Sequence, residues 1–597
     1  MCGIFAYVGT RPADVALMTY WGLRDLEYRG YDSWGISTIG KEGVYIKKAV
    51  GKISGVNEKD FRGIQGTMGI GHSRWATHGG VSEKNAHPHT NQDQTIFVVH
   101  NGIVENHQEL RAFLVGKFGI PEDKLFASQT DTEVIPHLID HFIRTGLSFE
   151  AAFVAAGKML EGRYSIVVIK KGEPFILAMR DGSPLVVGEG AEGFFLASDV
   201  PAFLDHTRKV SYPGDREYLK VEGDALMIRE LESGKKVDTK WREIEWDKAS
   251  ATKEGHPHYM LKEILEQPAA LDKAIRQEDK KLTEVANLLR NSEHLFFIGC
   301  GTAAKMAKLG ELYAAKVGEK LATAFVGSEF GSYTKFLNKK SALFAVSQSG
   351  ETADVLEGLR VAEKEGAKIL SLLNVVGSSM DRMSRETLFI NVGPEIAVAS
   401  TKAATAQIAV LILLAFALGK KLADGKHIMR GVVKQLKAWV TPDLSHEVKK
   451  IAQKLKDTND LYIIGRGLNA PIAHEAAIKI QEVSYIHAEG FPGGELKHGP
   501  IALIQAGTPV IALIPNDETK RDMESNTTEL KSRGAYVIGI GPEHSKLFDE
   551  WIPTPDLGIA SPIASIIPIQ LLAYHLAVLR GNDPDKPRNL AKSVTVK

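Results

Sequence analysis

The sequence predicts a multidomain α/β protein, and three observations carry that prediction. The chain has 597 residues, well beyond one hydrophobic core, and domains of about 100–200 residues imply three or four of them. Residues 1–240 are rich in short strands separated by Gly, Asp and Lys-Gly turns. The second half alternates apolar strands with helices and repeats itself.

In the first part, TIFVVHNGIVEN, YSIVVIKKGEPFILAM and SPLVVGEGAEGFFLAS read as strands of antiparallel hairpins. Two amphipathic stretches, VALMTYWGLRDLEYRG and TDTEVIPHLIDHFIRTG, read as helices among them. Residues 241–270 open with the polar run WREIEWDKASATKEGHPH, which predicts a linker. Two copies of one unit follow, expected over 271–425 and 426–597, offset by roughly 165 residues. HLFFIGCGTAAKMA matches DLYIIGRGLNAPIA, and SALFAVSQSGETADV matches TPVIALIPNDETKRD. AVASTKAATAQIAVLILLAFALG matches GIASPIASIIPIQLLAYHLAVLRG further on. Each copy should form a doubly wound parallel sheet with sites at the carboxyl ends of its strands.

Composition narrows the function. With 44% hydrophobic and 24% charged residues the chain is globular rather than disordered. Lys and Arg balance Asp and Glu at 73 each, so nothing draws it to nucleic acid or an anionic membrane, and a small molecule is the expected partner. Two cysteines, Cys2 and Cys300, make no disulfide framework, and a cytoplasmic location is expected. No metal-ligand spacing exists and no cofactor is called for. Arg11, Asp14 and Arg24 break any leader-like apolar run. IAVLILLAFALG, at 408–419, is shorter than the roughly 20 residues that span a bilayer and predicts a buried helix.

Four stretches concentrate chemistry. MCGIFAYVG places Cys2 behind the initiator methionine; removal of Met1 would give one residue a thiol and a free α-amine, a nucleophile with its own base. SQSGET (Ser347, Gln348, Ser349, Gly350, Glu351, Thr352) joins a strand to a helix and offers hydroxyls and backbone N–H groups to an anion such as phosphate, or else simply caps that helix. Copy two has Pro515, Asn516, Asp517 and Glu518 there, whose carboxylates repel phosphate, so one pocket is expected. Ser400 and Thr401 stand at another helix start, where capping is the ordinary role. In AAIKIQEVSYIHAEGFPGGELKHGP, Lys479 and Glu482 are three apart on a helix and meet on one face, with His498 in a following loop. The set suits proton transfer at a carbonyl compound; a solvated ion pair beside a loop histidine is the plainer alternative. PRNLAKSVTVK carries Lys592 between apolar anchors, either a solvated tail lysine or an amine held in a cleft to form a Schiff base.

MCGI, LEYRGYDS, GHSRWATHG, NAHPH, HNGIVENH and SQTDTEV resemble the glutaminase half of the isomerising glutamine–fructose-6-phosphate aminotransferase family. GCGT, SQSGETADV, EIAVASTKA, IKIQEVSYIHAEGFPGGELKHGP and PRNLAKSVTV resemble its isomerase half, in order along essentially the whole chain. The resemblance implies an N-terminal-nucleophile αββα glutaminase domain followed by two tandem sugar isomerase (SIS) domains. It implies glutamine hydrolysis, internal passage of ammonia, and conversion of fructose 6-phosphate to glucosamine 6-phosphate, the first step toward UDP-GlcNAc, in a homodimer.

By the same resemblance, Cys2 is the nucleophile, Asn101 and Gly102 form the oxyanion hole, and Arg29 orders the surroundings of Cys2. Arg74 pairs the α-carboxylate of glutamine and Asp131 its α-ammonium, with Thr77 and His78 completing the pocket and Trp75 gating ammonia. Ser347, Gln348, Ser349 and Thr352 match phosphate-binding residues, and Thr302 and Ser400 contact the sugar. Lys592 matches the Schiff-base lysine, Glu482 the base working between C1 and C2, Lys479 its helper and His498 the ring opener. The family usually has serine after GCGT where this chain has Ala303, which removes one hydroxyl from the sugar's surroundings. A catalytically dead sugar-phosphate sensor would lack Cys2, Glu482 or Lys592, and a phosphoribosyl amidotransferase would lack the tandem repeat.

Overall fold

A computed structural model of the chain describes residues 2–40, 43–244 and 252–595. Met1, and with it the expected excision, lies outside the described residues. The chain divides into two compact units, one formed by the residues up to 251 together with the tail from Ala591, the other by Thr252–Leu590.

The first unit is a sandwich of two antiparallel sheets. The first runs, edge to edge, Trp241–Glu243, Lys209–Ser211, Val186–Gly190, Gly193–Ala197, Gly3–Ala13, Gly66–Arg74, Ser33–Gly40, Gly43–Val50. The second runs Lys236–Val237, Ala225–Glu230, Glu217–Glu222, Phe175–Asp181, Gly162–Lys170, Ile96–Val104, His89–Thr90. Alternate residues of both, among them Ile4, Ala6, Val8, Ile70, Val99, Val167 and Ile176, interdigitate between the sheets. The opposite face of the second sheet is covered by the helices His107–Phe118, Val134–Arg144 and Phe149–Met159 through Leu114, Leu138, Phe153 and Ile166. The helix Val15–Asp25 packs on the first sheet. The layering is αββα.

The second unit holds two parallel sheets of identical order. In the first copy the strands lie Thr323–Val326, His294–Gly299, Ser341–Val346, Lys368–Leu373, Glu386–Phe389; in the second, His487–Pro492, Asp460–Gly465, Pro509–Leu513, Tyr536–Gly541, Glu550–Pro553. In each, the first strand in sequence lies between the second and third, so the connections on its two sides leave in opposite directions and open a crevice at the carboxyl ends. The central strands, such as Ser341–Val346 and Pro509–Leu513, are nearly all apolar and buried because both faces are covered. The fully buried helix Lys402–Leu418 and its counterpart Ser561–Leu579 share one core.

Three boundaries differ from the expectation. Trp241–Glu243 is an edge strand of the first sheet, and Tyr259–Leu265 and Gln267–Ala274 are helices packed in the second unit, so both ends of the expected 241–270 linker are structured. Their sequence is polar because each buries only one side. The border at 425/426 falls within the helix Leu422–Trp439, which packs on Lys402–Leu418 and Gln267–Ala274 of copy one; the break comes at Thr441, which caps the next helix with Pro442 in its first turn. The tail, expected with copy two, clusters from Ala591 with the first unit. A further correction concerns apolar length. The segment Gly558–Leu579 is long and apolar enough to cross a membrane by composition, but 89% of its most apolar window is buried in protein.

Candidate functional site

The first constellation is assembled by register. Gly3–Ala13 is a central strand, and Gly3 pairs with Ser73, which brings the end of the neighbouring strand, Arg74–Trp75, against Cys2. The Trp75 N–H donates to Cys2 Sγ at 3.2 Å. Loss of water around the thiol raises it above its ordinary value of 9.0, while the Trp75 N–H and the Arg74 guanidinium pull the other way and Asp131 adds to the rise. A thiol in that state needs a base to become a nucleophile.

Arg29 Nε donates to the Cys2 carbonyl at 3.3 Å, and its Nη1 pairs with Asp199 Oδ2 at 3.0 Å. Tyr28 donates to the same carboxylate oxygen at 2.6 Å. Ser198 Oγ accepts from the Ile4 N–H at 3.0 Å. Ser198 and Asp199 thereby clamp the start of the chain from the adjoining strand's end, a role with no motif to announce it.

Asn101 and Gly102 lie on Ile96–Val104 of the second sheet, and Asn101 Nδ2 donates to Cys2 O at 3.0 Å. Gly102 has φ +115°, and a Cβ there would stand 1.8 Å from Arg163 O, so only glycine leaves this backbone in place. Arg74, buried, turns its guanidinium into the loop that follows it, donating to the carbonyls of His78, Gly79 and Gly80. Asp131 is buried with Oδ2 accepting from the Val104 N–H at 2.8 Å, which leaves its other oxygen for a cation. Trp75 and His78 are half-buried and Thr77 is exposed on the same loop. Cys2, Arg29, Arg74, Trp75 and Asn101 are thus linked around one point.

The second constellation forms at the crevice of copy one. Thr302 starts the helix after His294–Gly299, and Ser347 follows the adjacent strand Ser341–Val346. The SQSGET loop wraps on itself: Ser347 Oγ accepts from Gly350 N at 3.0 Å and Ser349 Oγ from Glu351 N at 3.2 Å. Thr352, at the helix start, makes no side-chain cap, and its hydroxyl instead lies 3.5 Å from that of Ser347. Glu351, buried, accepts from Ser379 N at 2.8 Å. In copy two Asp517 Oδ1 itself accepts from the Thr519 N–H and hydroxyl at 2.8 and 2.6 Å, so a carboxylate fills the corresponding turn.

Capping was the ordinary role for Thr401, and the structure corrects it. Its side chain makes no cap, and Glu395 Oε1 instead accepts from Thr401 N and Ala403 N at 2.9 and 3.0 Å. Ser400, half-buried, precedes it.

Copy two supplies the titrating groups. On the helix Asn469–Ser484, Lys479 Nζ is 2.6 Å from Glu482 Oε2 and 3.5 Å from Glu475 Oε1. Lys479 and Glu475 are fully buried, so this is no solvated pair. Thr302 donates to Glu475 Oε1 at 2.9 Å, which joins the two copies at the site. Burial pushes the Glu475 carboxyl up to about 7, against the pull of Lys479. The Lys479 ammonium is held above its ordinary value by Glu482 and Glu475 despite its burial. Glu475 was missed in the sequence; its spacing of four from Lys479 was the available signal.

Two expected members fall on other segments. His498 is exposed at the end of the turn Gly493–His498 and makes no hydrogen bond or ion pair with Lys479 or Glu482. Lys592 is half-buried in the tail that clusters with the first unit, whereas Lys479 and Glu482 belong to the second.

Comparison with known proteins agrees with the two constellations. Residues 72–205 match the glutamine amidotransferase domain family, and 288–417 and 454–580 each match the SIS domain family. The chain is 42% identical over 608 residues to the glutamine–fructose-6-phosphate aminotransferase [isomerizing] of Thermococcus kodakarensis, and 43% over 604 residues to that of Pyrococcus horikoshii, each covering 100% of both chains. The C-terminal domain of glucosamine-fructose-6-phosphate aminotransferase from Francisella tularensis, a solved structure, is 33% identical, aligns with 56% of this chain and 99% of its own, and has a TM-score of 0.51.

Proposed function

The chain belongs to the isomerising glutamine–fructose-6-phosphate aminotransferases, and on that premise we propose how its residues divide the reaction. The enzyme converts glutamine and fructose 6-phosphate to glutamate and glucosamine 6-phosphate, at the entry to amino-sugar nucleotide synthesis.

Cys2 Sγ attacks the side-chain amide carbon of glutamine, with the α-amine exposed by loss of Met1 taking the thiol proton and passing it to the leaving ammonia. The C–N bond breaks as the thioester forms, and water then releases glutamate. Asn101 Nδ2 and the Gly102 N–H meet the charge developing on oxygen. Arg74 exchanges its loop carbonyls for the α-carboxylate, Asp131 takes the α-ammonium, and Thr77 and His78 close the pocket. Arg29 fixes the Cys2 carbonyl, and Trp75 gates ammonia.

Ser347, Gln348, Ser349 and Thr352 bind the phosphate; Thr302 and Ser400 hold the sugar. Lys592 condenses with the ketone as a Schiff base, which ammonia displaces. Glu482 carries the proton between C1 and C2, and Lys479 serves the adjacent hydroxyl. His498 opens the ring. The exposure of His498, away from its expected partners, supports a homodimer in which each chain lends this imidazole to the other's sugar site. The balanced charge and two unpaired cysteines support a cytoplasmic enzyme with no nucleic-acid or membrane partner.

The single observation that carries this reading is the presence of both constellations on one chain. With both substrates, glutamate and glucosamine 6-phosphate should appear in equal amounts; glutamate alone would sink it.

A further inference from the structure

The strand Ile96–Val104 is bonded along its length to Gly162–Lys170, with His100 opposite Ile166 and Asn101 opposite Ser165. On its other side the edge strand His89–Thr90 reaches only Phe97 and Val98. Both backbone groups of one residue in an antiparallel strand point to the same edge. At His100 no strand among the described residues lies along that edge, and two imidazoles stand there instead. His87 Nδ1 accepts the His100 N–H at 3.2 Å, and His72 Nε2 reaches the His100 carbonyl at 2.9 Å. The same His72 nitrogen lies 3.1 Å from Asn101 Oδ1.

Both partners of His72 Nε2 are acceptors: a carbonyl, and the oxygen of an amide whose nitrogen donates to Cys2 O. Its hydrogen is therefore on Nε2, and the bare Nδ1 has no partner among the described residues. The rings of His72 and His87 stack, with centroids 3.9 Å apart at 10°, and both are buried. Burial lowers His72 to about 3 and His87 well below its ordinary value, so the stack is neutral.

We infer that His72, braced by His87, is a positioning residue for glutamine hydrolysis that replaces a missing strand beside His100 and fixes which end of the Asn101 amide faces Cys2. An amide freed from His72 can rotate and present Oδ1, an acceptor, to the developing oxyanion. The inference rests on the assignment of Asn101 to the oxyanion hole.

The test compares His72→Phe, which keeps a stacking ring but no donor, His72→Gln, which restores an N–H at similar reach, and Asn101→Ala. His72→Phe should lower kcat for glutamine hydrolysis about 10- to 100-fold with KM within about threefold. Its affinity for glutamate γ-semialdehyde, whose thiol adduct carries the oxyanion, should fall in parallel. Alkylation of Cys2 by iodoacetamide and glutamine-independent isomerisation of fructose 6-phosphate should not change. His72→Gln should recover most of the lost kcat. Unchanged kcat in His72→Phe beside a slow Asn101→Ala overturns the inference alone; a fast Asn101→Ala overturns the oxyanion assignment beneath it. Should His72→Phe not fold, neutron crystallography of the unaltered chain decides: hydrogen on Nε2 of His72 supports the inference, and hydrogen on Nδ1 overturns it.

Discussion

Lys479 Nζ lies 2.6 Å from Glu482 Oε2, and while the lysine is fully buried the glutamate side chain keeps 24% of its exposure. A carboxylate so placed, the proposed base, is partly exposed on one side and charge-balanced on the other. Replacing Lys479 by Met leaves two carboxylates without their cation. Aminosugar formation should fall at least about 100-fold, and the second unit should lose about 3–5 kcal/mol at neutral pH. Denaturant unfolding and a product assay check both, and the glutaminase reaction, measured in parallel, should survive.

Glu475 adds a pH dependence of defined sign. Its carboxyl is raised from 4.5 to about 7 chiefly by burial, so between those values the folded state binds its proton more tightly than the unfolded chain. Stability must then decline as pH rises from 4.5 to 7. Glu475→Gln should flatten that stretch of the unfolding profile by a few kcal/mol. An unchanged slope would mean that another group titrates there.

Gly350 has φ +67°, and a Cβ on it would come 2.1 Å from Ser378 Oγ. Gly350→Ala must therefore displace the loop that carries Ser347 and Ser349. KM for fructose 6-phosphate should rise about tenfold or more, since the anion loses several aligned donors at once. Hydrolysis of glutamine should be unaffected, and steady-state kinetics with each substrate separate the two effects.

Beside Cys2, the proposed nucleophile, Arg29 serves two acceptors with one guanidinium, Cys2 O and Asp199 Oδ2. A lysine is a single point charge and cannot span both. Arg29→Lys should reduce glutaminase kcat about tenfold, and Asp199→Asn should do so to a similar degree. Cys2→Ala, by contrast, should abolish glutamine use and leave any synthesis from free ammonia. Retention of glutamine-dependent synthesis by Cys2→Ala would remove the nucleophile assignment.

Much of this was legible in the residues. The offset of roughly 165 residues between copies became two sheets of the same strand order, because matching apolar runs and turns direct matching crossovers. The spacing of Lys479 and Glu482 became a contact because three residues nearly complete a helical turn. Less legible was Glu475, whose partner Thr302 is 173 positions away, and Asp199, 170 positions from Arg29. His72 and His87 stood inside the quoted motifs GHSRWATHG and NAHPH, yet their stacking depends on where one short strand stops.

The sequence by itself determined a strand-rich α/β first part and an internal repeat of parallel-sheet units, because periodicity and local motifs are properties of neighbouring residues; the resemblance of its motifs implied the αββα and tandem SIS architecture, the reaction and the candidate reactive groups. Only the tertiary structure decided which groups are dry and which are wet. It buried Lys479 and Glu475 and bonded Glu351 to the Ser379 N–H. It also left His498 exposed, associated Lys592 with the first unit and set the Asn101 amide against His72. Each of these depends on contacts between segments far apart in the chain, and the charge state and orientation of a side chain follow from what surrounds it rather than from what precedes it.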